Sequence, residues 1–412
     1  MQQDSCATIV ISASSSNVIA APTKLFIGVI GTITEQKQGF LADFKRCFNW
    51  SGRFAIKYTY LDYAPNKKDS IQKLFKDEYD CALFLTIDDA QKNIEWRLYD
   101  TALGTMIQGK RQSLDAYAVV GEIVFALTNE PQAFLSKIAY RKRDRRKGTS
   151  SLIVTDFDGK NQKVLLESRR ILVSPHWNND PENLLLVYSE FTPTNVCLKM
   201  SDMRGRTAVI LDIDGTTAGV SYAPISSDGT GANDVVYCHS GDIWHHHYDA
   251  KKKKSLHTRI IHEKAVCSSP TLLENGDVIY CSKGTIKKYN AATKTSEVII
   301  SGGYCVSPSY SSHAHKVAYS KKVQNQMQIF IFDCGKGTHE QVTFADKNKA
   351  TRDFHSDKMD PCWAPDGTHL VFCWERHDKQ RIAILDTQTQ QYEFITPENE
   401  QCSYPTWSVN LF

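Results

Sequence analysis

From Lys137 onward the chain is a succession of short apolar runs separated by turn residues. The runs "LLLVYSE", "DVVYCHS", "DVIYCS", "KVAYSKK" and "HLVFCWE" are each followed by a second, "VCLKMSD", "DIWHHHYD", "IKKYN", "QIFIFD" and "RIAILD". Shorter third runs such as "EVIIS" and "YEFITP" come next. β-branched and aromatic residues between turn residues predict strands. Ahead of the sets stand proline anchors: Pro175 in "VSPHWNND", Pro224 in "YAPISSDG", Pro270 in "SSPTLLENG", Pro308 in "VSPSYSSH", Pro361 in "DPCWAPDG" and Pro405 in "YPTWSV". Their spacings of 49, 46, 38, 53 and 44 residues mark an array of one supersecondary unit. Four short antiparallel strands per period predict a propeller blade.

Six anchors predict six blades, but no strands follow the last anchor. The missing ones are "KIAYRKR", "SLIVTDFDG" and "KVLLES", between Lys137 and Ser168. The terminal "YPTWSVNLF" is therefore expected to supply the inner strand of the blade begun near Ile138. Strands from both ends of the array would close the ring and remove its open sheet edges. A two-sheet sandwich accounts for the strands but not for the period.

The first part of the chain has another pattern. "KLFIGVI" and "CALFLTI" read as buried strands, and "IEWRLYDT" as a further one. Phe40, Leu41, Phe44, Cys47 and Phe48 recur at helical spacing. A second helix is predicted over Ser113–Asn129, with Ser113 as N-cap and an end before Pro131. The expected organisation is an α/β N-terminal domain, residues 1–131, followed by an all-β six-bladed propeller, residues 136–412.

Composition adds exclusions. A net charge of +3 over 412 residues gives no reason to expect a nucleic-acid partner. No run of 18 or more apolar residues encodes a membrane span. The N-terminus "MQQDSCATIVISASSSNVIAAP" lacks the basic start and unbroken apolar run of an export signal. Read literally the chain is cytoplasmic; otherwise a signal was removed or lies upstream. Twelve cysteines without a Cys-x-x-Cys pair argue against zinc ribbons and thioredoxin-like chemistry. They read as free buried thiols, or as disulfides such as Cys362 with Cys373 or Cys267 with Cys281.

Neither a Gly-x-Ser-x-Gly elbow nor a phosphate-binding glycine loop occurs. No catalytic residue, metal site or cofactor is predicted. In "HHH", only His245 and His247 share a strand face, and a packed or solvated strand is the simpler reading. His313 and His315 fall in a turn. The basic runs "YRKRDRRKG", ending at Gly148, and Lys251–Lys254 fall at hairpins; contact with an anionic surface is the alternative to plain solvation.

The order of elements resembles the TolB family of the Tol–Pal envelope system. The resemblance rests on "IAYRKR...SLIVTDFDGKNQKVLLES...LVSPHWNND", on "PCWAPDGTHLVF" and on the closing "YPTWSVNLF". It extends to "WRLYDTALGTMI...VVGEIVFALTNEPQAFLSKIAY" in the first domain. It implies a monomeric, non-enzymatic periplasmic protein that binds the peptidoglycan-associated lipoprotein Pal at the propeller mouth. It also implies a TolA-like inner-membrane partner, and a role in outer-membrane integrity and constriction at cell division. Family contacts to Pal lie near the blade prolines, which carries over to Val220, Ala223, Ser268, Ser269, Val306, Met359, Asp360 and Tyr404. The TolA-binding strand carries over to Cys6, Ala7, Thr8, Ile9, Val10, Ile11 and Ser12, within "CATIVISASSS". The residues alone leave open a propeller scaffold with another protein partner, or a propeller enzyme acting on a small ligand.

Overall fold

The computed structural model describes residues 22–31, 35–65, 67–88, 90–222, 234–249, 254–345 and 356–411. The chain divides into two compact units, Met1–Phe134 and Leu135–Phe412.

The first unit runs β1 (Thr23–Ile30), α1 (Glu35–Ser51), β2 (Phe54–Leu61), α2 (Lys68–Phe75), β3 (Cys81–Asp88), β4 (Asn93–Asp100), β5 (Thr105–Ser113) and α3 (Ala116–Thr128). Its sheet has the order β2-β1-β3-β4-β5. The central β1 pairs in parallel with β2 and β3, and β4 and β5 add antiparallel. β1 and β3 are near-continuously buried, as covered central strands must be. All five apolar positions of the first predicted helix are buried on α1. The second predicted helix starts later than expected. Ser113 ends β5, and the cap is Asp115, whose Oδ1 accepts from the backbone N–H of Tyr117 at 2.9 Å and Ala118 at 3.2 Å. Asn129 ends that helix in the left-handed conformation.

The second unit is a series of antiparallel sheets. Its strands begin with β6 (Lys137–Asp144), β7 (Thr149–Asp156) and β8 (Lys163–Ser168). A four-stranded sheet follows from β9 (Leu172–Trp177), β10 (Leu185–Phe191), β11 (Val196–Asp202) and β12 (Thr207–Leu211). The next holds β13 (Thr217–Tyr222), β14 (Asp234–His239), β15 (Asp242–Asp249) and β16 (Lys254–Ile261). A third holds β17 (Cys267–Leu272), β18 (Val278–Ser282), β19 (Thr285–Asn290) and β20 (Thr295–Ile300). A fourth holds β21 (Cys305–Ser311), β22 (Lys316–Val323), β23 (Gln326–Asp333) and β24 (Thr338–Gln341). The remaining strands are β25 (Asp357–Trp363), β26 (His369–Arg376), β27 (Lys379–Asp386), β28 (Gln391–Phe394) and β29 (Gln401–Trp407). With β6, β7 and β8 they form one eight-stranded sheet. The C-terminal β29 pairs antiparallel with β6, the first strand of the unit, and touches β27 through the one bridge Gln380–Gln401. The architecture is an α/β unit followed by a β-propeller with four distinct four-stranded blades and this larger sheet.

Apolar clusters sit between successive sheets. Val187 and Leu198 of one sheet pack with Val220 and Tyr237 of the next, and Val236 and Ile243 with Leu272 and Tyr280 of the one after. Ile279 and Ile286 meet Val317 and Tyr319, and Ile329 and Ile331 meet Trp363 and Phe372. Each strand set thus buries its two faces against its two neighbours.

The cysteines belong to this packing. The eleven described ones are free thiols, eight of them buried, so neither Cys362–Cys373 nor Cys267–Cys281 is a disulfide. The ladder explains why: Cys281 pairs with Ser268, one residue from Cys267, and Cys373 pairs with Met359 while Cys362 pairs with Val371, across the bulge. The thiols instead donate to backbone carbonyls of later inner strands, in the first two cases on the next sheet. Cys238 donates to the Cys267 carbonyl at 3.0 Å, Cys281 to that of Cys305 at 3.2 Å, and Cys373 to that of Cys402 at 3.7 Å. Burial pushes the Cys267 thiol up to about 11 and that of Cys402 to about 12, so neither is poised to react.

A polar bridge joins two sheets at Glu263, in the turn leading into β17. Its carboxylate accepts from Tyr280 Oη at 2.6 Å, Ser282 Oγ at 2.7 Å and Lys287 Nζ at 2.9 Å. Burial alone would raise its pKa; the three hydrogen bonds outweigh it and hold the carboxyl below its ordinary value. A depressed folded-state pKa gives stability that is present above the unfolded value and lost as pH falls through the folded one. Glu263→Gln is expected to cost about 2 kcal/mol at neutral pH. Thermal unfolding should show the gap between the two proteins closing below about pH 4.

Candidate functional site

The innermost strand of each set carries the same irregularity. The ladder skips Ser174 and Pro175 in β9, Gly219 in β13, Ser269 and Pro270 in β17, Ser307 and Pro308 in β21, Asp360 and Pro361 in β25, and Tyr404 and Pro405 in β29. Proline has no N–H to contribute to a ladder, so a bulge is where a strand tolerates it. The residue ahead takes a left-handed backbone in every case: φ is 50° at Ser174, 65° at Gly219, 50° at Ser269, 52° at Ser307, 52° at Asp360 and 55° at Tyr404. Five of these six are not glycine, and such strain concentrates at ligand-binding positions.

The second repeat corrects the proline series. Its bulge lies between Ala218 and Val220, so Val220 holds the place proline holds elsewhere. Pro224 lies outside the described residues.

The six bulges converge on one cavity of ≈ 780 Å³. Its lining starts at the left-handed residues and continues through the prolines onto the ends of the inner strands and the hairpins after them, including Trp363, Trp407 and Ser312. Of the carried-over positions, Val220, Ser269, Asp360 and Tyr404 line it; Val220 is largely buried. Ser268, Val306 and Met359 do not. They precede the bulges and remain in the ladder, opposite Cys281, Ser320 and Cys373. Ala223 and the segment Cys6, Ala7, Thr8, Ile9, Val10, Ile11 and Ser12 lie outside the described residues. Ser174, Gly219 and Ser307 also line the cavity and were not picked out from the sequence. Applying one offset to every anchor would have found Ser174 and Ser307.

Neutral groups dominate the lining. Among the described residues no lysine or arginine contributes to it, and Asp360 is its one carboxylate. Ser307 Oγ, from the neighbouring blade, donates to Asp360 Oδ1 at 2.8 Å. Burial raises the Asp360 carboxyl above its ordinary value, against the Ser307 bond, with the Glu375 charge adding to the rise. His176 donates from Nδ1 to the Trp177 carbonyl at 2.8 Å, and burial lowers its pKa, which favours the neutral ring. Just off the cavity, the Arg141 guanidinium stacks on the Tyr404 ring at 4.9 Å.

The histidine pair of β15 is engaged within its own sheet. His245 Nε2 and His247 Nδ1 lie 2.9 and 2.8 Å from the same Asp234 Oδ1. Among the described residues no cluster of three or more such side chains is placed to hold a metal ion. His315 meets the Tyr310 hydroxyl at 2.9 Å, and His313 lines the cavity. Of the run ending at Gly148, residues 140–144 belong to β6 and only residues 145–148 form the turn to β7. Lys251–Lys253 lie outside the described residues.

This architecture can be set against known proteins. The model of the TolB β-propeller domain family matches residues 125–411, which includes every inner strand described above. The chain belongs to the TolB β-propeller family. It is 35% identical over 116 residues to the Tol–Pal system protein TolB of Anaeromyxobacter sp. (strain K), covering 26% of each chain. To the protein of that name from Nitrosomonas europaea it is 31% identical over 113 residues, 26% of this chain and 25% of the other. The chain spans about a quarter of the length of these curated relatives. The crystal structure of TolB from Acinetobacter baumannii superposes with a TM-score of 0.74 over 94% of this chain and 96% of that one, at 19% identity. At that identity the likeness to this TolB structure is one of fold. Among the described residues no helix is long and apolar enough to cross a membrane.

Proposed function

We propose that this TolB-family chain is a non-enzymatic, periplasmic component of a Tol–Pal system. In this reading the cavity mouth binds the peptidoglycan-associated lipoprotein Pal, and the segment Cys6–Ser12 engages a TolA-like inner-membrane protein. The activity would sustain outer-membrane integrity and envelope constriction at division. The observation that carries the reading is the set of six left-handed bulges lining one concave cavity. Family membership supplies the partner class.

The proposal counts the eight-stranded sheet as two blades meeting at the Gln380–Gln401 bridge. That gives six blades, closed by strands from both ends of the array, over residues 136–412 after an α/β domain over residues 1–131. A six-membered ring agrees with the six bulges facing one cavity. Residues near the cavity, Val220, Ser269, Asp360 and Tyr404, are the proposed first points of contact. Ser268, Val306 and Met359 would act by holding the bulges. Ala223 belongs to the same proposed rim.

A pull-down from the native host with the cognate Pal as bait, together with cell fractionation, tests this. Co-purification from the periplasmic fraction is expected. Absence of Pal binding, or a cytoplasmic location, would leave a propeller scaffold with another partner.

A further inference from the structure

One of the six bulges differs from the others in charge. The left-handed positions hold three serines, one glycine, one tyrosine and Asp360. Asp360 is thus an acid standing where the repeat has serine, and it faces a cavity that is otherwise uncharged among the described residues. We propose that the cavity selects a cationic side chain of the docked partner, a lysine ammonium or arginine guanidinium, and that Asp360 is the carboxylate that receives it. The inference rests on the Pal reading above.

Three observations support the pairing. First, the carboxylate is oriented. Ser307 of the adjacent blade donates to Oδ1 at 2.8 Å, which fixes one oxygen and leaves acceptor capacity on the group. Second, among the described residues no cation acts on it: the groups that do are Ser307 and Glu375, a donor and a second anion. The nearby guanidinium of Arg141 is engaged instead with the face of the Tyr404 ring. Third, the surroundings are prolines, serines and aromatic rings. A charge pair formed there is desolvated and gains more than it would in water. A carboxylate partly withdrawn from water without a cation beside it is costly, and desolvation already raises its pKa; an arriving cation offsets that cost.

The test is calorimetric titration of the full chain with the soluble domain of Pal, in EDTA-treated buffer, for the unaltered protein and Asp360→Asn. Asparagine keeps the shape and still accepts from Ser307, so thermal unfolding should show an intact protein. The affinity should fall roughly 30-fold or more, as when one member of a desolvated charge pair is neutralised. On the Pal side, substituting its lysines and arginines one at a time by methionine should reveal one residue with a similar loss. That loss should be absent against Asp360→Asn, the mark of a direct pair. The Pal series also serves if Asp360→Asn does not fold: no single basic residue with such an effect would overturn the pairing. Equal affinity of the unaltered chain and Asp360→Asn overturns it and leaves the Pal reading standing. Equal affinity in EDTA that separates only on adding Ca²⁺ overturns it in favour of a free cation at the carboxylate. No binding of Pal to the unaltered chain overturns the Pal reading and this pairing together.

Discussion

Deleting residues 401–412 should leave the second unit unfolded while the first keeps its helical signal. The segment supplies β29, whose ladder runs from Gln401–Arg143 to Trp407–Ile138 along most of β6. It also clamps the start of the unit. Ser408 Oγ accepts from Lys137 N–H at 2.8 Å, Trp407 Nε1 donates to Ser136 Oγ at 2.7 Å, and Leu411 N–H donates to the Leu135 carbonyl at 3.1 Å. Trp407 and Cys402 are buried. Losing the indole alone is expected to cost about 3–5 kcal/mol. Losing the strand as well exceeds the roughly 5–15 kcal/mol by which a domain is stable. It would also expose the edge of β6 as a template for aggregation. Circular dichroism and size-exclusion chromatography read the outcome. A truncated chain that stayed monomeric with its β signal and thermal transition intact would show that β29 is dispensable.

The second large effect concerns the cavity. Ser312 is exposed, in the hairpin after β21, and lines the cavity. Ser312→Trp places an indole over the opening without disturbing a buried group. Stability should change by no more than about 0.5 kcal/mol. Affinity for Pal should fall about 100-fold, equivalent to about 2.7 kcal/mol. The control is the same side chain at Val298, exposed on the outermost strand β20; it should bind as the unaltered protein does. Titration calorimetry distinguishes the outcomes. If Ser312→Trp binds normally, or Val298→Trp is the one that fails, docking occurs elsewhere on the molecule.

What could be read from the sequence follows from how strongly each repeat kept its chemistry. "DPCWAPDG" was legible because proline, tryptophan and the Asp366–Gly367 turn all survive, and each leaves a residue-level mark. The second repeat misled because valine replaced the proline at position 220, and Pro224, nearby, offered a false anchor. Only the bulge after Ala218 distinguishes the two, and a bulge is a property of pairing between strands. The same holds for the left-handed residues: serine ahead of proline is ordinary in sequence, and its conformation is set by the ladder around it.

The first unit shows the other limits. β5 carries no apolar pattern because nearly all of it is exposed, and β2 is only half-buried. β5 gives no alternation of the kind that marks a strand with one covered face, and in β2 the alternation of Phe54, Ile56 and Tyr58 with exposed Ala55 and Lys57 is shallow, since no residue of it is fully buried. Ser113 and Asp115 are both competent caps; β5 claims the first by pairing through it. The cavity's location was partly legible, since its prolines were the anchors. Its charge was not, because Asp360 becomes singular only once the six equivalent positions are seen side by side.

Amide hydrogen exchange of the full chain with and without Pal tests the central claim most directly, because it reports where binding occurs. Slowed exchange should appear together in the segments around Ser174, Ser269, Ser307, Asp360 and Tyr404 and in the hairpins that follow them. Protection confined to outer strands such as β12, β20 and β24, with those segments unchanged, would contradict the account.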